Sequence, residues 1–247
     1  MCTLVLFSRV AWWRLIGLCQ SGSESLVQNV LRRSVARILL GGREDRLIRV
    51  ALASKFARYY AAENRTKLEH RFDLYRIIQE RIGSQPIDYL EFGVFEGESI
   101  KVVSEINHHS QSRFIGFDSF EGLPRDWNEQ KPRGTFSTDG NPPNINDTRV
   151  QFVKGWFNST LPEFTKTFQS TGMTWIHIDC DLYSSAMYVL IYLDYLIKPG
   201  SFIVFDEFED LTNEFRAFLD FEEISGKRFD VIGATEHFSQ VAVQCVE

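Results

Sequence analysis

From Pro86 onward the chain alternates short apolar runs with amphipathic stretches, and this alternation constrains the fold more than any other feature. Runs rich in β-branched and aromatic residues recur near Ile87–Phe92, Arg113–Phe117, Val150–Val153, Thr174–Asp179, Ser201–Phe205, Phe229–Gly233 and Gln240–Cys245. Between them, helical spacing recurs near Glu98–Asn107, Thr160–Ser170, Ser184–Ile197 and Thr212–Ile224. Strands separated by helices of this length pair side by side in parallel. The expectation is therefore an α/β fold with a doubly wound, mainly parallel, seven-stranded sheet. The last two runs leave no room for a crossover helix, which predicts an antiparallel final pairing. The region Glu121–Thr148, with four prolines and three glycines, reads as one long loop. Loops of that length in compact domains are functional or disordered.

Upstream the pattern differs. From about Glu44 to Ile82 it is helical, with Leu68, Phe72, Tyr75, Ile78 and Ile82 at three- and four-residue steps and Gly83 as a stop. The predicted organisation is a basic amphipathic leader over residues 1–43, a helical extension packing on the core over 44–85, and the α/β domain over 86–247. Charge divides in the same way: residues 1–85 hold 15 Lys and Arg against 7 Asp and Glu, and residues 86–247 hold 12 against 26. The acidic part argues against a nucleic-acid groove. The basic part suits an anionic membrane surface, or the protein's own acidic domain. Arg9 and Arg14 interrupt the apolar opening, so it cannot span a bilayer. Trp12, Trp13 and Ile16 are compatible with an interfacial helix, and equally with a leader outside the fold. Four scattered cysteines, with no CxxC pair, indicate a reducing compartment, hence a cytoplasmic location, peripheral to a membrane if the leader binds one. Homo-oligomers are compatible with this reading.

The first constellation is DYLEFGVFEGES. It places Glu91, Gly93, Val94, Phe95 and Gly97 between a strand and a helix, with Ser99 in the first turn. Gly93 permits a tight turn and Gly97 a close backbone approach by a ligand. In an open parallel sheet this is the ligand crevice. The following strand ends at Asp118 and Ser119, and a carboxylate there accepts both hydroxyls of an adenosine ribose. The dinucleotide fingerprint GxGxxG is absent. Glu91, Glu96 and Glu98 put negative charge where a pyrophosphate would sit, which suits a cofactor carrying a cationic sulfonium.

The second constellation is carboxylates on two strand ends: Asp179 and Asp181 in WIHIDCDLYSS, Asp206 and Glu207 in SFIVFDEFED. If the two strands are neighbours their ends lie about 5 Å apart. Asp179, Asp206 and Glu207 then converge on one hard cation such as Mg²⁺, and Asp179 or Asp181 is placed to take a proton. His177, inside the strand, reads as a packed core residue, and His237 as a weak candidate base.

These residues resemble the macrocin O-methyltransferase family of class I S-adenosylmethionine enzymes over roughly Ile87 to Val243. The resemblance rests on EFGVFEGES, GFDSFEGLP, GWFNSTLP, IDCDLYSS and KPGSFIVFDEF. It implies a Rossmann-like fold, S-adenosylmethionine contacts at Glu91, Gly93 and Asp118, divalent-metal ligands at Asp179, Asp206 and Glu207, and methyl transfer to a hydroxyl of a small molecule, such as a sugar on a natural product. One departure stands out: the family's strand-end pair is Asp-Asp, and here it is Asp206-Glu207. Two rival readings are a nucleotide-dependent oxidoreductase on a similar sheet and a non-catalytic binding module that keeps the fold. The missing GxGxxG and the crowded acids count against the first, and the joint presence of Asp118 and the acidic trio counts against the second.

Overall fold

The computed structural model describes residues 50–57 and 67–247, and residues 51–247 belong to one compact unit. The leader over residues 1–43 lies outside the described residues. Among them, no helix is long and apolar enough to cross a membrane. One sheet runs through the unit: β1 (Lys67–Leu68), β2 (Ile87–Phe92), β3 (Arg113–Asp118), β4 (Val150–Lys154), β5 (Met173–Ile178), β6 (Phe202–Phe205), β7 (Phe229–Thr235) and β8 (Val241–Cys245). Their order across the sheet is β1-β7-β8-β6-β5-β2-β3-β4. The helices are α1 (Arg71–Ile82), α2 (Glu98–Ile106), α3 (Phe157–Thr167), α4 (Tyr183–Leu193) and α5 (Glu214–Ser225).

The seven expected strands all form, and all pairings are parallel except those of β8 with β6 and β7. An eighth strand, β1, pairs in parallel with β7 at the edge, inside the stretch read as helical. Two residues are too short to show a period of two, so nothing in the sequence marks this strand. The helical pattern upstream of Gly83 is therefore broken: residues 51–57 are helical, Lys67–Leu68 are extended, and α1 begins only after His70, whose side chain accepts from Phe72 N.

Helix α1 buries Leu74, Tyr75, Ile78 and Ile82 in the same cluster as Tyr89, Phe114 and Trp175. Burying such side chains contributes roughly 1.5–3 kcal/mol each. Tyr75 and Tyr89 each meet Trp175 edge-on, at 5.9 and 5.4 Å between ring centroids. The segment 51–57 sends Phe56 against Phe208, Phe215 and Phe238.

A buried carboxylate joins three strand starts. Asp88 accepts from Arg113 Nε at 2.6 Å through one oxygen, and from Ser170 Oγ, Thr171 N and Gly172 N at 2.8–3.0 Å through the other. Burial alone would raise its pKa, but Arg113 and the donors of Gly172, Ser170 and Thr171 outweigh burial and hold it below the usual value. This stabilisation is complete above about pH 4, the ordinary Asp value, and is lost as the pH falls through the lowered folded value. Asp88→Ala removes the partner of a part-exposed Arg113 and strands two backbone donors, so its unfolding free energy in urea at pH 7 is expected to fall by about 1–3 kcal/mol. The deficit should shrink in acid; an unchanged urea midpoint at pH 7 refutes the assignment.

Candidate active site

Strand β2 lies between β3 and β5, so the chain reverses its direction across the sheet there. The crossovers on its two sides lead away from each other and leave a crevice beyond the carboxyl ends of the strands. A cavity of about 1160 Å³ opens at this point. Its wall includes the β2–α2 turn from Gly93 to Ser99, Asp118 and Ser119 after β3, Gly155 to Ser159 after β4, Asp179 to Asp181 after β5, and Asp206 and Glu207 after β6. Seven carboxylates line it against two cations, Arg71 and Lys101. That balance favours a cationic ligand and opposes a diphosphate.

At one end of the cavity Asp118 organises the backbone. One of its oxygens accepts from Val94 N at 2.8 Å and Phe95 N at 3.0 Å, and the other from Phe120 N at 2.8 Å. The carboxylate still lines the cavity, half-buried, with one of its four lone-pair sites left for a ligand hydroxyl. Gly93 has φ +93°, and a Cβ there would stand 1.7 Å from the Asp179 carbonyl oxygen, so only glycine lets the ends of β2 and β5 approach this closely. Ser99 accepts from Tyr75 Oη, and Ser119 Oγ accepts from Glu121 N.

The other end is acidic. Strands β5 and β6 pair directly, so Asp179 and Asp206 meet as the strand spacing implied. Donor atoms of His177, Asp179 and Asp206 lie within 4.8 Å of one another. Glu207 lines the same cavity but is not in that trio. His177 is completely buried, as expected of a core residue, and yet it reaches the site. Tyr89 Oη donates to Glu91, so the network assigns His177 Nδ1–H as donor to Tyr89 Oη at 2.9 Å. Its Nε2 then faces Asp206 Oδ1 across 3.9 Å, and among the described residues both buried atoms lack a hydrogen-bond partner. Two facing orphaned polar atoms beside a third ligand suit a bound divalent cation.

Crowding also shifts the acids. Burial, then Asp206, pushes Asp181 up to about 7. Burial, then Asp206 and Glu209, pushes Glu207 up to about 9. Asp179 is raised well above the carboxylate range by burial and then by Asp206 and Glu214. Burial would raise Asp206 too, but His177 and Arg71 outweigh it and lower it. Burial would lower His177, but Asp206 and Glu91 hold it up at about 9.

Of the residues expected from the sequence, the structure brings Gly93, Val94, Phe95, Gly97, Ser99, Asp118, Ser119, Asp179, Asp181, Asp206 and Glu207 onto one wall. Glu91 lies beneath that wall, buried against Tyr89 with His177 Nδ1 3.6 Å away, because its position in β2 turns it into the sheet layer. His237 is not on the wall. Two residues had no signal in the sequence. Arg71, at the start of α1, reaches the cavity, bonds Glu98 at 2.5 Å and lies 3.7 Å from Asp206. Glu214, in the first turn of α5, lies behind the acidic end. The long loop is tied across the site: Trp127 Nε1 donates to Asp210 at 3.0 Å, Arg125 to Ser184 at 3.2 Å, and Pro143 packs on Gly97.

A reversing parallel sheet with a strand-end carboxylate beside a Gly-containing turn defines a protein of the Rossmann-like, cofactor-binding α/β class. Residues 65–233 match the Macrocin-O-methyltransferase (TylF) family, and the chain belongs to that family. The match reaches back past Pro86 and takes in α1 with Arg71. A curated relative, the 8-demethyl-8-(2,3-dimethoxy-alpha-L-rhamnosyl)-tetracenomycin-C 4'-O-methyltransferase of Streptomyces olivaceus, is 28% identical over 144 residues, covering 50% of this chain. The matched stretch spans about half (53%) of that relative's length. Among solved structures, the O-methyltransferase NovP aligns with TM-score 0.57 and 18% identity over 72% of this chain and 80% of its own. The calicheamicin methyltransferase CalS11 aligns with TM-score 0.54 and 15% identity over 92% and 94%. These likenesses show a class I methyltransferase fold.

Proposed function

We propose that this chain is an S-adenosylmethionine-dependent O-methyltransferase acting on a hydroxyl of a small molecule, with a sugar or glycosylated natural product as the acceptor class. The observation that carries the reading is one cavity with two chemically distinct ends: Asp118 and the β2–α2 turn at one, the acids of β5 and β6 at the other. Family membership and the curated relative, whose name describes methylation of a glycosylated tetracenomycin, support it.

When bound, S-adenosylmethionine supplies an electrophilic methyl on a sulfonium, and a divalent cation supplies a Lewis acid that lowers the acceptor hydroxyl's pKa. The chain's residues do the rest. Asp118 accepts a ribose hydroxyl through its remaining lone pair, and the predominantly acidic wall favours the sulfonium's positive charge. Asp179 and Asp206 would hold the cation with His177 Nε2, and Glu207, outside that trio, lines the same cavity. Asp181, on the wall but outside the trio, is placed to take the proton that leaves the acceptor oxygen as its bond to the methyl carbon forms.

Titration calorimetry tests this directly. S-adenosylmethionine and S-adenosylhomocysteine are expected to bind with dissociation constants at or below about 100 μM, that is, at least about 5.5 kcal/mol of binding free energy, while NADH shows no heat. Binding of NADH alone would replace the methyltransferase reading with the oxidoreductase one, and binding of neither would leave a non-catalytic module.

A further inference from the structure

We propose that Glu214 is a positioning residue that fixes the separation of the two acid-bearing strand ends. The proposal relies on the methyl-transfer reading for its activity measurement only. Glu214 is completely buried at the first position of α5. One carboxylate oxygen accepts from Cys180 N at 3.1 Å and from Asp181 N at 3.2 Å, in the segment after β5. The other accepts from Glu207 N at 3.1 Å, in the segment after β6. One side chain thus bridges the two backbones that carry Asp179, Asp181, Asp206 and Glu207.

The arrangement is not that of an ordinary helix cap. A capping side chain turns back onto its own helix's free N–H groups, whereas all three donors to Glu214 come from other elements. Nor is it an efficient way to fill space. A buried carboxylate is costly unless compensated, and here three backbone N–H groups supply the compensation. Asp88, at the opposite end of the sheet, has Arg113 as a partner. Among the described residues, the hydrogen bonds of Glu214 come from backbone N–H groups, and it sits among acids.

What the carboxylate supplies is geometry. Asp181 has φ +59°, a left-handed conformation uncommon outside glycine though open to Asp, and its N–H is one of the three that Glu214 binds. The preceding residue extends the clamp: Asn213 Oδ1 accepts from Tyr183 N at 3.0 Å, at the first position of α4. The start of α5 therefore sets both the β5–α4 turn and the first residues after β6.

Glu214→Gln tests the proposal, because an amide of the same shape has one accepting oxygen and must release one strand end. Amide hydrogen exchange is expected to accelerate at least about tenfold at Glu207, or at Cys180 and Asp181. Turnover should fall about 10- to 100-fold, since displacements near 1 Å cost that much in a positioned reaction. S-adenosylmethionine affinity should stay within about threefold, because Asp118 and the β2–α2 turn keep their bonds. A packing role alone would lower thermal stability, cofactor affinity and turnover together. Unchanged exchange at all three amides, or cofactor affinity falling in step with turnover, overturns the proposal. If the variant does not fold, exchange in the unmodified protein decides: the three amides must be protected like strand interiors, and loop-like exchange overturns it. A wild-type protein that transfers no methyl group would refute the proposed function, while the exchange results would still judge Glu214.

Discussion

Asp118→Ala is expected to weaken S-adenosylmethionine binding toward the upper end of about 10- to 150-fold. A hydrogen bond to a charged acceptor contributes roughly 1.5–3 kcal/mol, which spans that range. The upper end follows from the second task of this carboxylate. It holds Val94 N, Phe95 N and Phe120 N, so its loss loosens both turns that face the ligand. Asp118→Asn separates the two tasks. An amide has one accepting oxygen, so it keeps either the Val94–Phe95 pair or Phe120, and its affinity should fall between wild type and alanine. Calorimetry on folded variants reads the outcome. Wild-type affinity in Asp118→Ala would remove this residue from the cofactor site altogether.

Asp206→Asn is expected to lower turnover by two or more orders of magnitude, about 3 kcal/mol or more of barrier, while S-adenosylmethionine still binds. The substitution keeps side-chain size and removes the charge that faces His177 Nε2 at 3.9 Å and Arg71 at 3.7 Å. It also turns one of the three ligand atoms that converge within 4.8 Å from an anionic into a neutral oxygen. Exhaustive chelation of the unmodified protein should have the same effect, and added magnesium should restore activity. The loss belongs to the chemical step, because Asp206 follows β6, three strands across the sheet from Asp118 at the end of β3. Full activity after chelation would leave the carboxylates as base and hydrogen-bond acceptors only, with the His177–Asp206 pair as a buried ion pair.

Much of this protein was readable in one dimension. Short runs rich in apolar residues, such as Ile87–Phe92 and Phe202–Phe205, mark strands buried along their whole length, and composition over a few neighbouring residues is enough to read them. The helical lengths between the runs then require parallel pairing, so the crevice at Gly93 and Asp118 and the acids on two strand ends followed from local pattern. The closeness of β7 and β8 likewise dictated their antiparallel pairing.

Tertiary structure decided everything that depends on which distant residues share a wall. Glu91 stands two residues before Gly93, yet strand alternation sends it under the wall to Tyr89 and His177. His177 reads as core from its place in a strand, and only the pairing of β5 with β6 puts its Nε2 opposite Asp206. Arg71 belongs to a helix that sequence marks as scaffold, and it meets Glu98, 27 residues further on, because α1 packs beside α2. Glu214 lies 34 residues from Cys180 and reaches it only because α4 and α5 pack together. Burial patterns are short-range and leave a period in the chain; contacts across a reversing sheet depend on strand order, which leaves none.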